Sequence, residues 1–135
     1  MMNLYTKKSL IHFLISLAAI ILGLTIFILA ANSISGFTEP AENEDAYAVA
    51  GRVLAAVAGL FAVIIIGIID AIFTSTTVYM FAYFSNKNAI RAIEQGGDTT
   101  TTPKVLKILS LIEMIIAAII AIIGGLLVLL LFSFN

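Results

Sequence analysis

VLAAVAGLFAVIIIGIIDAIFTSTTVYMFAYF, Val53–Phe84, is the stretch that decides the fold. Its 32 residues are apolar apart from Asp70 and the hydroxyl run Thr74–Thr77. As one helix at 1.5 Å per residue it would be about 48 Å long, more than a perpendicular crossing of a hydrocarbon core of ~30 Å needs. As two spans turning near Asp70, each half would have only ~16 residues, at the short limit for a crossing. No Pro, Asn or Gly pair marks a turn there. One continuous helix is therefore expected, either tilted or projecting beyond the lipid.

Two further stretches are long and apolar enough to cross: LIHFLISLAAIILGLTIFILAA (Leu10–Ala31), after Lys7 and Lys8, and Val105–Phe132. The first has a longer apolar core than the ~7–15 residues of a cleavable signal and no A-x-A site after it, which reads as a retained anchor. Composition agrees with a lipid setting. Of 135 residues, 61% are hydrophobic and 11% charged, and the mean hydropathy is +1.15. Soluble domains carry about 25% charged residues. A chain this apolar cannot cover itself with polar groups in water. The expected fold is a single all-α integral membrane domain of three transmembrane helices, with a long middle helix.

Charge supplies an orientation. Lys7 and Lys8 precede the first span, and the segment 86–104 with its flanks holds Lys87, Arg91, Lys104 and Lys107. The segment 32–47 between the first two spans holds Glu39, Glu42, Glu44 and Asp45 and no basic residue. Three spans put both basic segments on one side, which the positive-inside rule makes the cytoplasm, with the N-terminus inside and the C-terminus outside. Four spans would put the second basic loop outside. Gly96-Gly97 is a stop for the middle helix, and Thr102 with Pro103 reads as a cap and first turn for the last one. On the acidic side, Glu39-Pro40 reads as a further helix start. The Ile-rich composition, without Trp or Cys, points to a prokaryotic plasma membrane.

Small and polar residues recur along each span. On the first helix Ser9, Ser16, Gly23 and Ala30 repeat every seven residues. On the second, Gly51, Ala55 and Gly59 repeat every four, and Gly67, Asp70, Thr74 and Thr77 continue below them. On the third, Ala117, Ala121 and Gly125 repeat every four, with Lys107, Ser110 and Glu113 on adjoining turns. Lipid offers no hydrophobic drive for helix association, so close backbone approach and interhelical hydrogen bonds must supply it. These stripes are expected to face helices. The Ile-rich faces, Ile64, Ile65, Ile68 and Ile72 on the second helix and Ile115, Ile116, Ile119 and Ile123 on the third, are expected to face lipid.

The intramembrane polar residues form the candidate site. A central Asp costs ~2.5–3.5 kcal/mol on insertion, less than the surrounding Val, Leu, Ile and Phe return. Asp70, Glu113, His12 and Lys107 come from all three spans, and counting inward from the basic ends lets them converge. Two readings of Asp70 stay open: a polar fastener between helices, or a carboxylate on an ion or proton path.

Other chemistries are disfavoured. A net charge of −1 leaves no basic face for nucleic acid, and zero cysteines with one histidine exclude thiolate and multi-histidine metal sites. No phosphate-binding loop, dinucleotide fingerprint or G-x-S-x-G appears, so neither cofactor nor catalytic residue is expected. The expected function is that of a non-enzymatic interaction or accessory subunit of a membrane complex, or a homo-oligomer. Its partners would be the lipid bilayer and other membrane subunits or copies of itself. The alternative is an oligomeric channel or proton-coupled transporter using Asp70 and Glu113.

Overall fold

A computed structural model describes residues 3–33, 46–97 and 99–133. Three helices account for nearly all of them: α1 (Leu4–Asn32), α2 (Ala46–Glu94) and α3 (Thr102–Ser133). All three are long and apolar enough to cross a membrane, and α2 runs unbroken through Asp70. The chain is an integral membrane protein of three packed helices with a long middle one. Most of the acidic segment, including Glu39-Pro40, lies outside the described residues.

The three helix ends at the basic side of the bundle each have an identifiable cause. Asn3 caps α1, its Oδ1 accepting from the Thr6 N–H at 2.9 Å and the Thr6 hydroxyl at 3.0 Å. At the end of α2, the N–H groups of Gln95 and Gly96 both donate to the Arg91 carbonyl at 2.9 Å. Gly97 then turns the chain at φ +67°, a left-handed conformation that glycine adopts without a Cβ clash. α3 begins one residue earlier than the sequence suggests. Thr101 gives its carbonyl to the Val105 N–H at 3.0 Å, so Thr102 is the first helical residue and Pro103 the second.

Successive helices run antiparallel, with α2 as the spine. The contacts Ser9–Ser85, Ser16–Val78, Gly23–Thr74 and Phe27–Gly67 run along α1 and α2. Asn86–Lys107, Ala71–Gly124 and Gly67–Leu127 do the same for α2 and α3. The outer helices touch each other over a short stretch only. Extending this register places the ends of α1 and α3 near residue 62 of α2. Residues 46–62 therefore continue for about 25 Å beyond both neighbours.

Buried positions follow a seven-residue period on every helix. They include Ser9, Ser16 and Gly23 on α1; Ile64, Ala71, Val78, Ser85 and Ala92 on α2; and Pro103, Ser110, Ala117 and Gly124 on α3. A 3.5-residue spacing keeps one seam facing its neighbour in a left-handed supercoil. Most of these side chains are small, so the backbones come close. A Cβ on Gly124 would stand 2.9 Å from that of Ala71, and one on Gly23 would collide with Thr74. Ile65, Ile72, Ile115, Ile119 and Ile123 are exposed and meet lipid, but Ile64 is buried because the seven-residue seam runs through it, Ile116 packs against the Ile20–Val78–Ala117 core, and Ile68 is half-buried.

Candidate functional site

The polar groups inside the bundle sort into three settings. Nearest the basic end is a fully buried pair, Ser9 on α1 and Ser85 on α2. The Ser9 hydroxyl donates to the Ser85 carbonyl at 2.7 Å, and the Ser85 hydroxyl returns the bond to the Ser9 carbonyl at 2.8 Å. Each serine thus satisfies its hydroxyl on the other helix's backbone, which holds the two helices at one register. Ser16 repeats half of this motif, donating to the Val78 carbonyl at 3.3 Å. On the other flank, Asn86 Nδ2 donates to the Lys107 carbonyl at 3.0 Å, joining α2 to α3.

Glu113 is in the second setting. It is 3% exposed, and neither carboxyl oxygen has a hydrogen-bond partner. Ser16 lies on its side of the bundle, but that hydroxyl is committed to Val78. The Ile20–Val78–Ala117 core closes over the next turn. Among the described residues no hydrogen bond reaches either oxygen, and a buried polar group left without a partner is costly.

Asp70 is in the third. It is half-buried and lines an open groove of about 160 Å³ between α1 and α2, with Ala19, Gly23, Phe73, Thr74 and Thr77. Its hydrogen bond from the Thr74 hydroxyl is long, at 3.4 Å. The carboxyl thus sits where a membrane helix faces outward, without a charged partner from its own turn.

The four candidate polar residues do not converge. Asp70 lies beside the Ala71–Gly124 contact and Glu113 about two turns from the Asn86–Lys107 contact, roughly 17 Å apart along the bundle. They also differ in face, one outward and one sealed. Along the bundle, the helix register sets Asp70 nearer the acidic segment and Glu113 nearer the basic loop. His12 is a wedge between α1 and α2. Its Nδ1–H donates to the Lys8 carbonyl at 2.8 Å, and its ring lies 5.9 Å from Phe81 and 5.8 Å from Phe84 between centroids. Lys107 is exposed, and its carbonyl, not its ammonium, makes the contacts above.

The small residues divide as well. Ser16, Gly23, Gly67 and Ala117 are buried in the bundle. Ala121 and Gly125 are exposed, as is Gly51, and Ala55 and Gly59 are partly so. A Cβ on Gly51 or Gly125 would meet nothing within 4 Å. Residues four apart rotate about 40° further round a helix with each step, so a four-residue stripe leaves a seam of period seven. Ala117 is where the two patterns cross.

Sequence reasoning missed Asn3, Ser85 and Asn86. Asn3 also donates from Nδ2 to the Ala92 carbonyl at 3.3 Å, tying the start of α1 to the last turn of α2. An Asn directly before an apolar periodic run is a legible cap signal. Ser85 could have been found by extending the spacing of Ala71 and Val78 by seven. Compared with family models, curated proteins and solved structures, the chain matches none.

Proposed function

We propose that this protein is a non-enzymatic membrane subunit that acts by helix–helix association, with other membrane proteins or with copies of itself. The observation that carries this reading is an unfilled face on the α2–α3 side. Two adjoining grooves of about 370 and 330 Å³ share Ser75, Thr76 and Ala121, and their floor continues through Ala117, Gly124 and Gly125. Small residues with hydroxyls beside them are what close helix approach in lipid requires. The bundle's own seams do not use Ala121 and Gly125.

The test is the native mass and composition of the tagged protein, taken gently from its membrane, for the wild type and for Gly125→Leu. An assembly larger than one copy that Gly125→Leu dissociates, with helicity unchanged, is the expected result. A monodisperse single copy would refute the reading. In the competing reading Asp70 lines an ion or proton path, supported by the cost of leaving a carboxylate in lipid. An Asp70→Asn variant that assembles normally but loses pH-dependent conductance in vesicles would favour that path. By the positive-inside rule, the basic end of the bundle would face the cytoplasm and the acidic segment would face out.

A further inference from the structure

We infer that the Asp70 groove is the docking point for a transmembrane helix of a different protein, one carrying a Lys or Arg at the depth of Asp70. The inference rests on the association reading and names the partner's chemistry. It starts from an unmet need: a carboxyl inside a membrane span, half-buried in an outward groove, with one long hydrogen bond from Thr74. Such a group pairs with another polar or charged group, or marks a path.

This chain cannot supply the countercharge. Its basic residues are Lys7, Lys8, Arg52, Lys87, Arg91, Lys104 and Lys107. Arg52 is 18 residues away on the same helix, about 27 Å along its axis, and the others cluster at the opposite end. Residues 34–45 contain no Lys or Arg. A second copy inserted in the same orientation presents the same residues at the same depths, so it leaves Asp70 equally unmatched. Headgroup amines are also out of reach. Asp70 lies near the level of Gly23, and α1 continues for about 15 Å to Ser33. A short Asp side chain does not snorkel that far.

The groove suits a helix: the small Ala19 is partly exposed on its wall and lets a backbone approach, and the Thr77 hydroxyl lies beside the carboxyl, while Gly23 and Thr74 form its closed floor. A partner Lys or Arg entering here would meet Asp70 away from water, where a charge pair is screened least.

The probe is a 21-residue Leu/Ala helix with one Lys at the matching depth, compared with the same peptide carrying Leu there. Association with the full-length protein is read by energy transfer in phosphatidylcholine vesicles. The Lys peptide should bind about tenfold more tightly, and Asp70→Asn should erase the difference. Leu22→Trp, which obstructs the groove and keeps the charge, should weaken the Lys peptide. Equal binding of both peptides overturns the inference.

In native membranes, a photocrosslinker at Phe73 should capture a protein whose own span holds Lys or Arg. Capture of only lipid or a second copy overturns the inference. If a crosslinker at Ala118, on the α2–α3 face, captures a protein while Phe73 captures none, the association reading stands and this inference fails. If neither site captures a protein, both fail.

Discussion

At the scale of single residues, two side chains contribute more than their positions suggest. Asn3 satisfies the first turn of α1 through Oδ1 and a terminal carbonyl of α2 through Nδ2, so one amide serves two helix ends. Asn3→Ala should cost about 1–2 kcal/mol in micelle unfolding and speed hydrogen exchange at the Thr6 amide. Asn3→Ser should restore the Thr6 protection, because a Ser hydroxyl caps, but not the full stability, because it cannot reach Ala92. An unchanged unfolding midpoint in Asn3→Ala would show the bridge to be idle. Glu113 gives the second prediction. Because neither oxygen is partnered, Glu113→Gln should keep stability within about 1 kcal/mol. A loss of 3 kcal/mol or more, the signature of breaking a buried ion pair, would mean that a countercharge reaches it. The Asn3 cap was legible because Asn stands directly before the apolar run, whereas its bond to Ala92 spans 89 positions and leaves no local trace. For Glu113, spacing from Lys107 gave its depth, but only the seven-residue seam reveals which face it occupies.

At the scale of the helix, adjacent glycines separate two functions. Gly124 lies in the bundle against Ala71, and Gly125 lies outside it with open space where a Cβ would go. Gly124→Leu should destabilise the isolated bundle by about 1–3 kcal/mol through overpacking. Gly125→Leu should change it by no more than about 0.5 kcal/mol, while weakening any assembly formed on that face. Denaturant titration of the purified protein in micelles checks both, and equal effects would mean that the α2–α3 seam is assigned to the wrong residues. Three helices were legible from length and charge, since the uninterrupted stretch around Asp70 left no residue able to turn the chain. The seam was legible on α1, where Ser9, Ser16 and Gly23 already stand seven apart. On α2 and α3 the more conspicuous four-residue repeats competed with it. Those repeats suit the steeper, right-handed crossing of a helix pair, whereas antiparallel neighbours here share a seam of period 3.5.

At the scale of the molecule, the mismatch between α2 and its neighbours constrains how the bundle sits in lipid. Forty-nine residues make a helix of about 74 Å, beyond the 40–45 Å of a bilayer with its headgroups. The basic end is anchored on both sides, by Asn3 and Ser9 from α1 and by Lys107 from α3. The excess therefore falls at the other end, where residues 46–62 run past both neighbours and Tyr47 and Leu54 are 90% and 71% exposed. Tilting α2 far enough to keep this segment in lipid would tilt α1 and α3 with it, because the seams fix their mutual register. Both are already long enough to cross. Hence the end of α2 should emerge on the side opposite the basic loop. Single cysteines in this cysteine-free chain test that with a membrane-impermeant maleimide. Tyr47→Cys should react in intact cells, and Thr99→Cys only after the membrane is opened. A Tyr47→Cys that resists reagent from both sides would place residues 46–62 in the bilayer. Reaction of Thr99→Cys in intact cells would reverse the orientation, turning the basic loop outward and overriding the charge rule for this protein.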